Sequence, residues 1–215
     1  MYIPKHFLQE DKIQIVNFMK QYSFATIVSS QNNLPVATHL PFVVSLRDND
    51  IYLVSHFARA NKQWEEIEKQ NSLIIFAEPH AYISTKHYEK ALNVPTWNYA
   101  AIHAYGNVKL ILNNDEVLRI LEETIQYYDT DYLNKWNSLP HKFREEMLNG
   151  IMAFELKVTM LQAKYKLSQN RMETEKKSII DYLKQREKST EKSVGEMMES
   201  LYSFNRVSES DPNEH

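Results

Sequence analysis

The chain has 215 residues, 43% hydrophobic and 25% charged, enough for one sizeable core with a helical appendage. Its formal net charge of −3 supplies no general field for nucleic acid or an anionic membrane, so any DNA contact needs a local patch. With no cysteine, disulfides, thiolate metal sites and thiol nucleophiles are excluded, and no stretch reaches the ~18 apolar residues of a membrane span.

The opening residues Met1 to His6 lack the basic start and apolar run of a signal peptide, so the expected location is cytoplasmic. Ile13, Val16 and Met19 recur at three-residue intervals behind Asp11 and predict an amphipathic helix to about Gln21, capped at Asp11. A strand is expected over Phe24 to Ser29, a turn at Gln31-Asn32-Asn33 and a return strand over Val36 to Val44. Pro35 and Pro41 bracket that return strand and argue against a central position. A second turn at Asp48-Asn49-Asp50 leads into a strand over Ile51 to His56, completing a three-strand antiparallel meander.

Helical periodicity returns from Ala60 to Lys69, with Trp64 and Ile67 on one face. Leu73 to Phe76 reads as a short strand that Ala81 to Ser84 extends beyond Pro79, and residues 85–93 as a polar loop. A long strand from Trp97 to Ile111 bends at Gly106, one of three glycines. Helices follow over Asp115 to Tyr128 and Pro140 to Asn149, the latter stopped by Gly150, and a last strand over Ile151 to Leu161. Arg171 to Arg186 is expected to be helical, Val194 to Leu201 weakly so, and the chain beyond Ser203 disordered. This order predicts a mainly β domain over 1–186, a barrel with a helical insertion at about 113–150, and a polar tail over 187–215.

Three stretches could carry chemistry. Val94 to Gly106 interleaves aromatic rings with Asn98 and His103, and reads either as a plain core strand or as one wall of a site for a flat, heteroatom-rich ligand. In Ser55-His56-Phe57-Ala58-Arg59-Ala60-Asn61-Lys62, a strand gives way to a predicted helix start, whose free amides and Arg59 fork suit phosphate; the alternative is a pair of solvated first-turn cations. Lys164 to Arg171 places Gln169, Asn170 and Arg171 where they could meet a heterocycle edge and an anion, or serve as a linker and helix cap. The basic residues from Lys164 to Lys177 are interrupted by Glu173 and Glu175 and read as a solvated face, so a DNA partner has no visible reading element. The eight histidines show no HExxH spacing and no metal is expected; GxSxG, P-loop and GxGxxG motifs are absent.

Met1 to Phe7, His39-Leu40-Pro41, His56 to Trp64, Pro79 to Ser84, Val94 to Tyr99, His103 to Gly106 and Lys166 to Arg171 together resemble the PaiB-like family of FMN-binding negative transcriptional regulators. The resemblance implies an FMN-binding split β-barrel similar to pyridoxamine-phosphate oxidases, a homodimer, and a repressor role in protease synthesis and sporulation, direct or indirect. On it, Ser55, Arg59, Asn61 and Lys62 would take the flavin phosphate, with His56 also counted among the cofactor-binding residues. Thr26 and His39 would lie near the isoalloxazine, and Trp97, Asn98, Gln169, Asn170 and Arg171 would complete the pocket, partly from a partner subunit. Of the superfamily's Ser-Arg-Lys phosphate run only Arg59 survives here, within Ala58-Arg59-Ala60. The same barrel also admits a flavin-dependent oxidoreductase, with His103 or Tyr99 delivering a proton, or a haem-handling protein.

Overall fold

A computed structural model describes the backbone of residues 1–209 and the side chains of residues 1–203. Its contacts divide the chain into two units: residues 10–76 with 102–162, and residues 1–9 with 77–101 and the chain from 163 onward.

The larger unit begins with α1 (Lys12–Gln21), whose start Asp11 caps by accepting from the Ile13 and Gln14 amides. Its buried face is Ile15, Val16, Phe18 and Met19, whereas Ile13, expected inward, is exposed. The strands β1 (Phe24–Gln31) and β2 (Leu34–Pro41) are joined through Asn32 and Asn33, both left-handed with φ of 50° and 64°. The strands β3 (Val43–Arg47) and β4 (Asp50–Ala58) are joined through Asp48 and Asn49 with φ of 48° and 70°. Two consecutive left-handed residues are the signature of the tight hairpin turn that matches strand twist, which Asn and Asp tolerate best.

The expected return strand over 36–44 is divided at Phe42. Its amide donates to the Ser23 carbonyl and its ring turns inward against Phe76 and Phe154, so the chain leaves the β1 pairing and enters the β4 pairing. The remaining strands are β5 (Asn71–Phe76), β6 (His80–Ile83), β7 (Thr96–Ile111) and β8 (Ile151–Lys166). In this unit the order is β2-β1-β5-β7-β8-β4-β3. Alternation along each strand sends Ile27, Leu53, Phe57, Ile74, Phe76, Ile102, Phe154 and Leu156 into the core. A second apolar cluster of Val54, Ile111, Val117, Ile120 and Ala153 lies under α2 (Asn114–Tyr128).

Two elements depart from expectation here. The helix predicted over 60–69 is a pair of short 3-10 turns, Lys62–Glu65 and Ile67–Lys69. The Trp64 indole N–H donates to the Arg59 carbonyl and the Gln63 amide donates to Ser29 Oγ and the Val36 carbonyl, so tertiary bonds pin the segment instead of a regular i→i−4 ladder. Between α2 and α4 (His141–Asn149) stands an additional helix, α3 (Thr130–Ser138), started by Asp129 accepting from the Tyr132 amide and buried through Trp136.

In the smaller unit β6 pairs with the first residues of β7 in the register His80↔Tyr99, Ala81↔Asn98, Tyr82↔Trp97 and Ile83↔Thr96, rather than extending β5. β8 runs five residues past the expected end at Leu161, because Leu8 bridges Lys164 and the Gln9 amide donates to the Ala163 carbonyl. Behind β6 stands α6 (Ser189–Glu209), packed on α5 (Glu173–Lys184) through the buried Ile179, Leu183, Val194 and Met198. The weak helix expected over 194–201 is thus the middle of a longer one, and the disorder expected beyond 203 gives way to helix up to 209. That expectation's last part, 210–215, lies outside the described residues. No helix among the described residues is long and apolar enough to cross a membrane.

Candidate functional site

The twelve residues singled out from the sequence fall into two groups, seven in the larger unit and five in the smaller. In the larger unit, Thr26 and His39 are cross-strand partners, and Thr26 Oγ1 lies 2.8 Å from His39 Nδ1. The register carries the same sheet face on through Ile75 to His103, so Thr26, His39 and His103 share one face. Ser55 is directed the other way: it is buried and its hydroxyl donates to the Pro41 carbonyl at 2.6 Å, which commits it to the fold.

Arg59 leaves β4 as a fixed guanidinium. Its backbone N–H donates to the Gly150 carbonyl at 2.8 Å and its Nε to the Asn149 carbonyl at 2.7 Å, while its terminal nitrogens have no partner among the described residues. Asn61 caps the following turn by accepting from the Gln63 amide and donates to Thr38 Oγ1 at 2.9 Å; Lys62 pairs with Glu65 at 2.8 Å in the open. The expected helix dipole behind this cradle is missing, since only a four-residue 3-10 turn follows. Thr38 and Gln63 escaped the sequence reading, yet Thr38 Oγ1 donates to Gln63 Oε1 at 2.6 Å and Gln63 is the polar centre that fixes the loop. A glutamine in a charged run carries no signal of burial, so only the fold reveals it.

In the smaller unit the five residues behave differently from one another. Asn98 is fully buried and exchanges bonds with the Ser168 hydroxyl at 2.9 and 3.1 Å. Gln169 accepts from the Leu167 amide and donates to the Tyr165 carbonyl, closing the turn after β8. Arg171 donates to Asn93 Oδ1 at 2.8 Å and lies 3.7 Å from the centre of the Tyr88 ring. Asn170 is exposed, and Trp97 is half exposed with His80 and Tyr82 at 5.8 and 5.9 Å between ring centres.

Burial holds His56 and His103 below the usual histidine range, and each keeps a buried Nδ1 without a partner among the described residues. His87, bonded to Ser178 Oγ at 3.0 Å, is depressed by burial and then by Lys86. The unfolded chain binds protons at these positions before the folded one does, so stability is full above the unfolded value of about 6.5 and declines as pH falls below it. Thermal melts are expected to show a lower Tm at pH 5.5 than at pH 7.5, with the difference reduced in His56→Gln; an unchanged slope in that variant contradicts the assignment.

A sequence profile described as "Putative FMN-binding domain" matches residues 1–160. The chain belongs to this PaiB-like family. It is 41% identical over 202 residues to "Protease synthase and sporulation protein PAI 2" of Bacillus subtilis (strain 168), covering 93% of this chain and 97% of that protein. Among solved structures it is similar to the flavocytochrome Anf3 from Azotobacter vinelandii, with a TM-score of 0.60 at 15% identity over 76% of this chain and 72% of the other. It is also similar to an FAD and heme binding protein from Mycobacterium smegmatis, with a TM-score of 0.58 at 13% identity over 74% and 72% of the two chains. The fold is the mainly β, FMN-binding split barrel with helical additions, and FMN is the cofactor of the family.

The side chains of the larger unit fit that cofactor in their chemistry. A guanidinium anchored at Nε and open at its terminal nitrogens matches a phosphate monoester, and the Thr26–His39 pair offers directional donors and acceptors on an adjoining strand pair.

Proposed function

We propose that this protein binds FMN and acts as a negative regulator of gene expression, affecting protease synthesis and sporulation, as a cytoplasmic homodimer. The link to protease synthesis and sporulation is supported by the name of the Bacillus subtilis relative, the flavin part by family membership and by the state of Arg59. When bound, FMN supplies a redox-active ring, and the chain's own part is to hold and orient it.

Arg59 carries this reading, because the Asn149 carbonyl orients its guanidinium through Nε while its terminal nitrogens stay open. It takes the phosphate with Lys62, whose exposed pairing with Glu65 costs little to exchange. Thr26 and His39 attend the ring. The homodimer is supported by the outer sheet face, where Val28, Leu73 and Ile75 remain half exposed beside an exposed Phe24. A hydrogen bond to a charged group is worth about 1.5–3 kcal/mol, so Arg59→Ala is expected to weaken FMN about tenfold or more in a flavin-fluorescence titration. Equal affinity in the variant removes Arg59 from the site, and no quenching with either protein removes the flavin reading.

A further inference from the structure

The smaller unit has a second sheet face, of which the flavin reading uses Trp97 alone. Along β6 the side chains alternate between Ala81 and Ile83, which are buried, and His80 and Tyr82, which are exposed. Along β7 Asn98 and Ala100 are buried, and Trp97 and Tyr99 point the opposite way. Directly opposed residues in an antiparallel pair share a face, so His80 joins Tyr99 and Tyr82 joins Trp97, as the ring contacts of Trp97 with His80 and Tyr82 confirm.

Two lysines of β8 complete the same face. The Lys164 ammonium lies 5.3 Å from the centre of the Tyr99 ring, and Lys166, two residues on, donates to Thr96 Oγ1 and to the Trp97 carbonyl at 2.8 Å. Lys164 is only 9% exposed, yet its one hydrogen bond is to the Tyr2 carbonyl at 3.2 Å. Neither ammonium has a carboxylate within ion-pair distance among the described residues. A nearly buried cation without a counter-charge is costly, and beside a second one it is costlier still. Burial, then Lys164 and Arg171, push the Lys166 ammonium below its usual range, which reports the same uncompensated positive charge.

We infer that this face, formed by His80, Tyr82, Trp97, Tyr99, Lys164 and Lys166, is a platform for single-stranded nucleic acid, with bases stacking on Trp97 and Tyr82 and phosphates drawn to the Lys166 ammonium by a positive field to which the nearly buried Lys164 adds. Rings on an open sheet with interleaved cations are the means by which single strands are held without sequence reading. A second copy of the chain suits the face less well, since a twofold contact sets four ammonium groups together with no carboxylate among them. The inference gives the regulatory reading a partner class and rests on that reading for its biological purpose only.

The test is fluorescence anisotropy of a labelled oligothymidylate with the purified full chain, over a range of salt concentrations, for wild type, Trp97→Ala, Tyr82→Ala and Lys166→Met. Trp97 and Tyr82 are half exposed, so both truncations leave the core intact, and circular dichroism checks each fold. Either ring truncation is expected to weaken binding about tenfold without altering the salt slope. Lys166→Met is expected to lower the slope by about 0.7, the share of one phosphate on a single strand. FMN titration of Tyr82→Ala and Lys166→Met, neither of them a residue of the flavin reading, is expected to be unchanged, which separates this face from that reading. Absence of oligonucleotide binding at low salt, or binding indifferent to all three substitutions, overturns the inference. So does loss of FMN affinity in Trp97→Ala without oligonucleotide binding, which makes the face a flavin contact. A shift of the variants to monomer without oligonucleotide binding makes it a contact between copies, and overturns the inference as well.

Discussion

Gly106→Ala is expected to destabilise the protein by about 3 kcal/mol or more, above the usual cost of overpacking, because the obstacle is backbone. A Cβ at this position stands 2.2 Å from the Lys157 carbonyl oxygen and 2.8 Å from Leu156 Cδ2. A side chain can rotate away, but a carbonyl in the neighbouring strand cannot move without parting β7 from β8. Gly106 has an ordinary negative φ, so the requirement is close approach alone. Urea unfolding should show the loss in Gly106→Ala and little change in Gly150→Ala, where the nearest atom is 3.3 Å away at the end of α4. Equal midpoints for the two variants contradict the strand contact.

Asn98→Ala is expected to cost about 2–3 kcal/mol of stability and to leave FMN affinity as it was. Its side-chain amide both donates to and accepts from the Ser168 hydroxyl, and also donates toward Met198 Sδ. Removing it leaves a buried hydroxyl unpaired at a residue already held at φ 65°, and opens a small cavity against α6. Unfolding by urea with a parallel flavin titration decides between a structural and a ligand-binding Asn98. Unchanged stability with weakened FMN contradicts the structural role.

Asn98 also shows where the sequence was legible and where it was not. Strand periodicity placed a strand over Trp97 to Ile111 and the structure has it from Thr96, since alternation of burial is local information, and the Asn-Asn and Asp-Asn turns fixed both hairpins because those residues tolerate left-handed φ. Which face of β7 looks inward depends on its partners. The expectation set both Trp97 and Asn98 in the pocket, although neighbours on a strand face opposite ways, and the structure buries Asn98. The break at Phe42 and the pinned turns at 62–69 were hidden for the same reason: each is decided by bonds to residues far along the chain, Ser23 in one case and Ser29 with Val36 in the other. α3 was missed because Thr, Asp, Asn and Ser are weak helix formers, and the Asp129 cap, the burial of Trp136 and the Gln126–Thr130 bonds to α2 stabilise it. Lys164 and Lys166 belong, from sequence, to a solvated basic face, whereas β8 continues to Lys166 and sets them beside the rings of β7.

The PaiB-like resemblance placed the cofactor class and the fold together, and residue chemistry supplied the local detail. Arg59 survives as an anchored cation, Ser55 is spent on Pro41, and Asn61 belongs to the Thr38–Gln63 network that shapes the loop behind it. On the proposed reading, the phosphate contact leans on one arginine more heavily than a Ser-Arg-Lys run would.

The most direct measurement is on the protein as it leaves the cell: purify the full chain without added flavin, record its visible absorption, and identify the released chromophore by mass spectrometry. The account predicts a yellow protein that releases FMN and, once stripped, regains it with quenching of flavin fluorescence. A colourless protein that neither releases FMN nor quenches it on addition contradicts the account.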